Sequence, residues 1–276
     1  MRLVGLGYRD SLAPWLQQQP AEVGCLEITA EHFFDGGLDR LRQLAGRYPL
    51  YVHGLGLSLG APGPLDPAAV KQFVQVAQAA DARWVSEHVA FTRTADVDLG
   101  HLNPIPLSRT SLQVMVDHAL ELADACGRLL LLENVTSEFQ IAGGLQETDF
   151  LNQLCDQAKC GLLLDVTNLW INSRNHRFDP LAWLRELEPA TVRQLHIVGY
   201  SQRGDHYVDH HSAVIQPQLM ELLTAVLEYG AVESIILERD ERLDQIAEIT
   251  HELTRLEQAS HAARSHHGAR SAAQQS

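Results

Sequence analysis

The chain has 276 residues, 45% of them hydrophobic, and sets 21 Lys and Arg against 35 Asp and Glu for a net charge of -14 at pH 7. That balance argues against binding to a phosphate backbone or an anionic membrane, whose affinity comes from Lys and Arg, and no apolar run approaches the roughly 20 residues needed to cross a bilayer. Cys25, Cys126, Cys155 and Cys160 form no Cys-x-x-Cys pair, which disfavours a disulfide scaffold and a structural zinc knuckle. The expectation is a cytoplasmic protein with reduced cysteines and no nucleic-acid or membrane partner.

In chain order, short apolar runs lie at 3–7 (LVGLG), 25–29 (CLEIT), 50–54 (LYVHG), 84–88 (WVSEH), 129–134 (LLLLEN), 162–166 (LLLDV), 195–199 (LHIVG) and 235–239 (IILER). Helical patterns fill the gaps. Asp66 before Pro67 marks one start. Leu112, Met115, Val116, Ala119, Leu122, Ala123 and Cys126 recur at helical spacing between a Ser108 cap and a Gly127 stop. Asp179 before Pro180 marks another start, and Pro217 opens a helix whose Leu219, Leu222, Leu223, Val226 and Leu227 face inward before Gly230. Strict alternation implies a parallel sheet, and eight repeats over about 250 residues fit a single α/β domain, a (β/α)8 TIM-type barrel over 1–258. No Gly-x-Gly-x-x-Gly follows a strand, which weakens an open dinucleotide-binding sheet. The segment 259–276, ASHAARSHHGARSAAQQS, has no periodic apolar face and reads as a polar, disordered tail with His261, His266 and His267 solvated.

In such a barrel the C-terminal strand ends converge on one face, where active sites are built. The polar residues there are Glu27, His53, Glu87 with His88, Glu133 with Asn134, Asp165, His196 and Glu238. Each has an ordinary structural reading: His53 as a satisfied core histidine, Glu27 paired with Arg9, Glu238 paired with its neighbour Arg239. Their recurrence on strand after strand is harder to dismiss. Carboxylates clustered at one mouth repel strongly at low dielectric, so something positive must sit among them. Few basic side chains lie at the strand ends, and imidazole with carboxylate is the ligand set of borderline divalent and trivalent metals. The pattern predicts a metal centre with more than one ion.

The segments YVHGLGLSLG, WVSEHVAF, LLLLENVTS, LLLDVTNLWINSRNHRFDP, LHIVG, the DHH at 209–211 and IILERD closely resemble the multinuclear non-haem iron-dependent oxidase family, from about Gly5 to Leu256. The resemblance implies a TIM-type barrel holding two or three iron ions of mixed Fe(II) and Fe(III) state, with zinc or manganese as metals that could occupy the sites on purification. It implies a dioxygen-dependent oxidation of cysteine residues in a ribosomally synthesised precursor peptide, delivered by a separate recruiting protein. By the same resemblance His53, His88 and Glu133 hold one ion, and Glu133 bridges to a second held by Asp165, His196 and Glu238. Asn168, Asp209 and His211 match a third position. Glu27, Glu31, Glu87, Asn134, His176 and Tyr200 stand as supporting residues around these ligands. Many relatives carry His at Tyr200, Asp at Ser212 and Asn at Thr167, and Gly where Arg177 follows Asn175-His176, departures that bear on the third position and the substrate.

Other readings of the same residues are a metal-dependent sugar isomerase or epimerase, a trinuclear-zinc endonuclease, and a non-catalytic peptide-binding module with a vestigial metal site. The isomerase lacks a strand-end lysine, since only Lys71 and Lys159 exist. The nuclease lacks a basic face for DNA.

Overall fold

The computed structural model describes residues 2–94, 97–138, 141 and 143–273, with side chains up to 265. Strands in chain order are β1 (Leu3–Gly7), β2 (Cys25–Thr29), β3 (Leu50–His53), β4 (Val85–His88), β5 (Ala90–Arg93), β6 (Asp98–Pro104), β7 (Leu130–Glu133), β8 (Gly161–Asp165), β9 (Val192–Ile197), β10 (Gly199–Arg203), β11 (His206–Ala213) and β12 (Ser234–Leu237). Helices are α1 (Ala13–Leu16), α2 (Leu38–Ala45), α3 (Pro67–Ala79), α4 (Arg109–Cys126), α5 (Glu147–Ala158), α6 (Val166–His176), α7 (Pro180–Glu186), α8 (Pro217–Tyr229) and α9 (Ile246–Ala273).

Eight strands close a barrel in the order β1-β12-β9-β8-β7-β4-β3-β2, and the pairs are parallel. These are the eight apolar runs of the sequence, joined through helices on the outside, so the (β/α)8 expectation holds. The helix signals hold too. The Asp66 carboxylate accepts from the Ala68 N–H, Ser108 Oγ from the Ser111 N–H and Asp179 from the Leu181 N–H, each tying down a donor that a helix start leaves unpaired. Gly127 ends α4 in the left-handed region at φ 58°, where a Cβ would add strain.

Inside the barrel the period of two along each strand stacks side chains in layers. A lower layer holds Cys25, Tyr51, Trp84, Leu131, Leu163 and Ile236, all buried together. Two residues further along the corresponding segments come Glu27, His53, Ser86, Glu133, Asp165 and Glu238, so an apolar floor carries a polar ceiling. Strand β1 contributes no bulk here: a Cβ on Gly5 would lie 2.0 Å from the Cys25 carbonyl oxygen.

Three features depart from the sequence expectations. Two antiparallel hairpins, β5–β6 and β10–β11, rise from the rim after β4 and β9. The turn of the second is made at Gly204, φ 62°. The DHH segment accordingly lies in a strand, β11.

The helical chain also continues past residue 258 to Ala273, within the segment read as a disordered tail. Ile249, Leu253, Leu256, Ser260 and Ala263 are buried at alternating spacings of four and three, so one face of α9 continues into the tail with small residues that an apolar count overlooks. Arg264 donates to the Arg2 carbonyl at 3.1 Å. His261 is exposed, 3.7 Å from Glu257, while the side chains of His266 and His267 lie outside the described residues.

Helix α9 is also held by charge. Arg239, its side chain fully buried, donates to Glu252 at 2.5 Å and pairs with Glu248. No helix among the described residues is long and apolar enough to cross a membrane.

Candidate metal centre

Strand ends bring two overlapping groups together. Ligand-type atoms of His53, His88 and Glu133 lie within 4.8 Å of one another, and so do those of Glu133, Asp165, His196 and Glu238. Glu133 belongs to both. Its Oε2 is 3.3 Å from His53 Nε2 and 3.2 Å from His88 Nε2, while its Oε1 is 3.2 Å from His196 Nδ1. Glu238 Oε2 lies 3.1 Å from the same Nδ1.

The outer nitrogens of His53 and His88 are held by hydrogen bonds, which leaves their inner nitrogens facing Glu133. His88 Nδ1 lies 3.2 Å from the Gly54 carbonyl, an acceptor only, so that nitrogen carries the proton. His53 Nδ1 is 2.8 Å from Ser86 Oγ, which in turn lies 3.5 Å from the Val52 carbonyl. His196 Nε2 is 2.6 Å from Glu27 Oε1. That contact does not have hydrogen-bond alignment, yet two lone pairs at that distance would repel, so a proton belongs between them.

Asp165 is both the last residue of β8 and the N-cap of α6, its Oδ1 accepting from the Asn168 N–H at 2.6 Å. Its backbone is clamped by the Asn134 amide, which accepts from the Asp165 N–H at 2.8 Å and donates to its carbonyl at 3.1 Å. Strand and helix meet with no loop between, so the carboxylate is rigidly aimed. Its Oδ2 is buried without a hydrogen bond, as are His53 Nε2, Glu133 Oε2, His196 Nε2 and Asn168 Oδ1. Orphaned polar atoms within the two groups, on His53, Glu133 and Asp165, are costly unless a cation satisfies them. The residues present fit a metal.

The electrostatics agree. No Lys or Arg pairs with these carboxylates among the described residues, and their nearest ionisable partners are imidazoles. Burial, with Asp209, Glu133 and Glu238 nearby, drives the Asp165 carboxyl well above its ordinary range. Burial, reinforced by His88 and His196, drives His53 well below the usual imidazole value. At His88 burial opposes the charge, but Glu133 and Glu87 outweigh it and raise the ring to about 9. Burial opposes His196 likewise, and Glu27, Glu238 and Glu133 lift it well above normal.

The third expected position is less complete. Asp209 and His211 lie side by side on β11, with Nε2 of the ring 2.8 Å from Asp209 Oδ2 and 3.7 Å from Glu238 Oε2. The other ring nitrogen is 3.0 Å from Asp240 Oδ2. Asn168, in the first turn of α6, donates to the Asn134 carbonyl at 3.1 Å, and its Oδ1 is buried without a partner.

Of the supporting residues, Glu87 accepts from the Leu57 N–H at 2.8 Å, and Glu31 accepts from Leu55 and Gly56 at 2.9 and 2.8 Å, so both shape the loop after His53. His176 binds the Ser137 carbonyl at 2.7 Å, and Tyr200 stacks on Trp170 at 4.0 Å; both belong to neither group. Thr167 ties its hydroxyl to Val198, accepting from the N–H at 3.0 Å and donating to the carbonyl at 2.8 Å. The ordinary pairings fail: Arg9 pairs with Asp240, Arg239 with Glu248 and Glu252.

Sequence reading missed Ser86, Gln194 and Trp84. Gln194 donates to Glu27 at 2.5 Å and accepts from the Trp84 indole, so a buried chain runs from the barrel floor to His196. The signal was available: Ser86 and Gln194 are polar residues inside apolar strands, two positions before His88 and His196 on the same face.

Residues 3–261 match the model of the family described as RiPP precursor modification enzyme MbnB/TglH/ChrH. A UPF0276 protein of Chromobacterium violaceum is 34% identical over 222 residues, covering 79% of this chain and 80% of its own. One from Shewanella sediminis is 31% identical over 267 residues, covering 94% and 95%. Solved structures with the same fold include a D-tagatose 3-epimerase-like protein, TM-score 0.63 at 15% identity over 94% of this chain and 99% of that one. Endonuclease IV from Thermus thermophilus superposes with a TM-score of 0.59 at 18% identity, over 93% and 99%. At such identities these last two show the barrel alone. The family match over nearly the whole length goes further: this chain belongs to the MbnB/TglH/ChrH family of RiPP precursor modification enzymes.

Proposed function

We propose that the protein is a multinuclear iron-dependent oxidase that uses dioxygen to modify cysteine residues of a ribosomally synthesised precursor peptide. The observation that carries this reading is the pair of overlapping imidazole and carboxylate groups that share Glu133, in which His53 Nε2, Glu133 Oε2 and Asp165 Oδ2 are buried without a hydrogen bond. Three imidazoles and three carboxylates suit iron, Glu133 is common to both groups and would serve an ion in each, and the family's peptide chemistry supplies the substrate class. Iron bound there supplies redox chemistry with dioxygen and a point of attachment for a substrate thiolate.

The chain's own contribution is placement. Ser86, Gly54 and Glu27 fix which nitrogen each histidine turns inward, and Asn134 fixes Asp165. Burial excludes water from His53, His88, Glu133, Asp165 and His196. The side chains of Glu238 and His211 are 12% and 24% exposed, so the cluster is most open beneath the β10–β11 hairpin, the side from which we place substrate entry. A separate recruiting protein completes the proposal.

The test uses full-length protein loaded anaerobically with ferrous iron and the cysteine-containing precursor peptide encoded beside its gene, with its recruiting partner. Mass spectrometry should show a changed peptide mass only after oxygen is admitted. Turnover of a free sugar or nicking of abasic DNA, with such peptides untouched, would overturn the reading.

A further inference from the structure

Beside the metal cluster lies a cavity of about 640 Å³ that none of the cluster residues needs. It opens between the end of β7, the start of α5 and the helix α7. Val89, Asn134 and Asn172 connect it to the cluster: the first two directly follow His88 and Glu133, and the third is one turn beyond Asn168 on α6. Its far side is walled by Phe178 and Trp183 and carries the carboxylates of Glu147, Asp179 and Glu186, while no Lys or Arg lines it among the described residues.

Those carboxylates are held by neutral groups. Glu147 accepts from the Trp183 indole N–H at 2.9 Å, Glu186 from the Thr148 hydroxyl at 2.7 Å, and Asp179 caps α7 through the Leu181 N–H. None pairs with a basic side chain among the described residues. Burial pushes the Glu147 carboxyl above its ordinary value, and the Trp183 indole N–H opposes that shift only in part. Aromatic faces next to acids form a seat for a guanidinium or ammonium group, and the volume lies within the range of side-chain and small-ligand pockets.

We propose that this cavity seats an arginine or lysine side chain of the substrate peptide, close along the chain to the cysteine held at the metal cluster. The inference rests on the peptide-oxidase reading above and names a specificity determinant for it.

Fluorescein-labelled glycine-rich heptapeptides provide the probe, each with one cysteine and one arginine at a varied separation, together with twins in which citrulline replaces arginine. Anisotropy with the full-length, iron-loaded protein under anaerobic conditions should show at least one separation at which the arginine peptide binds tenfold or more tightly than its twin. That difference should fall below twofold in the Glu147→Gln/Glu186→Gln double variant, which keeps both hydrogen-bond acceptors and should retain its melting temperature and metal content. Equal binding of every pair, or a preference that survives the double substitution, overturns the proposal. Binding is read without turnover, so the two readings fail separately: a charge preference without oxidation removes the oxidase, and oxidation without a preference removes the pocket.

Discussion

His196 meets Glu133 through Nδ1, 3.2 Å from Oε1, while its Nε2 faces Glu27 at 2.6 Å. Glu27 therefore selects the nitrogen that points into the cluster. A Gln at position 27 could offer Nε2 a donor and let the proton move to Nδ1, where it would face the metal. Glu27→Gln should weaken the ion shared by Asp165, His196 and Glu238 by about 10–100-fold, with little change at His53 and His88. Chelator competition on the reconstituted protein measures both, and equal weakening of the two would contradict the assignment.

Inward and outward positions explain which parts of this site could be read from the sequence. The eight barrel strands were visible because each is a short apolar run, and the cluster was visible because seven of the runs carry a polar residue at or near their end and those ends share one face. What adjacency in sequence could not show was direction. Glu238 and Arg239 are neighbours, yet successive residues turn to opposite sides, so Glu238 enters the cluster while Arg239 reaches α9. The hairpins escaped notice because β6 and β11 are largely polar strands standing clear of the core, without the apolar alternation that marks a half-buried strand.

Proton competition sets a pH dependence. In the metal-free fold His88 titrates at about 9, against an ordinary value of 6.5. A raised folded value means its stabilisation is fully present below pH 6.5 and is lost as the pH climbs through 9. A metal requires the neutral ring, so its binding strengthens over the same interval. Melting temperatures of chelator-treated and iron-loaded protein should diverge as the pH rises across that window. A constant gap would show that His88 gives up no proton to the metal.

His211 stands between Asp209 and Asp240, a ring raised to about 12 by Glu238 and these partners against the opposing effect of burial. An ion there competes with a strongly held proton, and Asn168 offers it only an amide oxygen. Asp209→Ala should lower activity and remove at most one ion, leaving those at Glu133 in place. Metal analysis of the variant checks this, and loss of two or more ions would show that Asp209 supports the main cluster.

The Arg239–Glu252 pair is fully buried, and Glu252 also accepts from the Ile215 N–H at 2.7 Å. Glu252→Ala strands a buried guanidinium that retains Glu248, at a cost of about 3–5 kcal/mol. Urea denaturation should show that loss. A change under about 1 kcal/mol would mean that Glu248 alone suffices.

The most direct test of the metal centre is anomalous diffraction at the iron edge from crystals of protein loaded anaerobically with ferrous iron. The account predicts separate peaks on the two sides of the Glu133 carboxylate, one beside His53 and His88, the other beside Asp165, His196 and Glu238. A single peak, or none at Glu133, would contradict it.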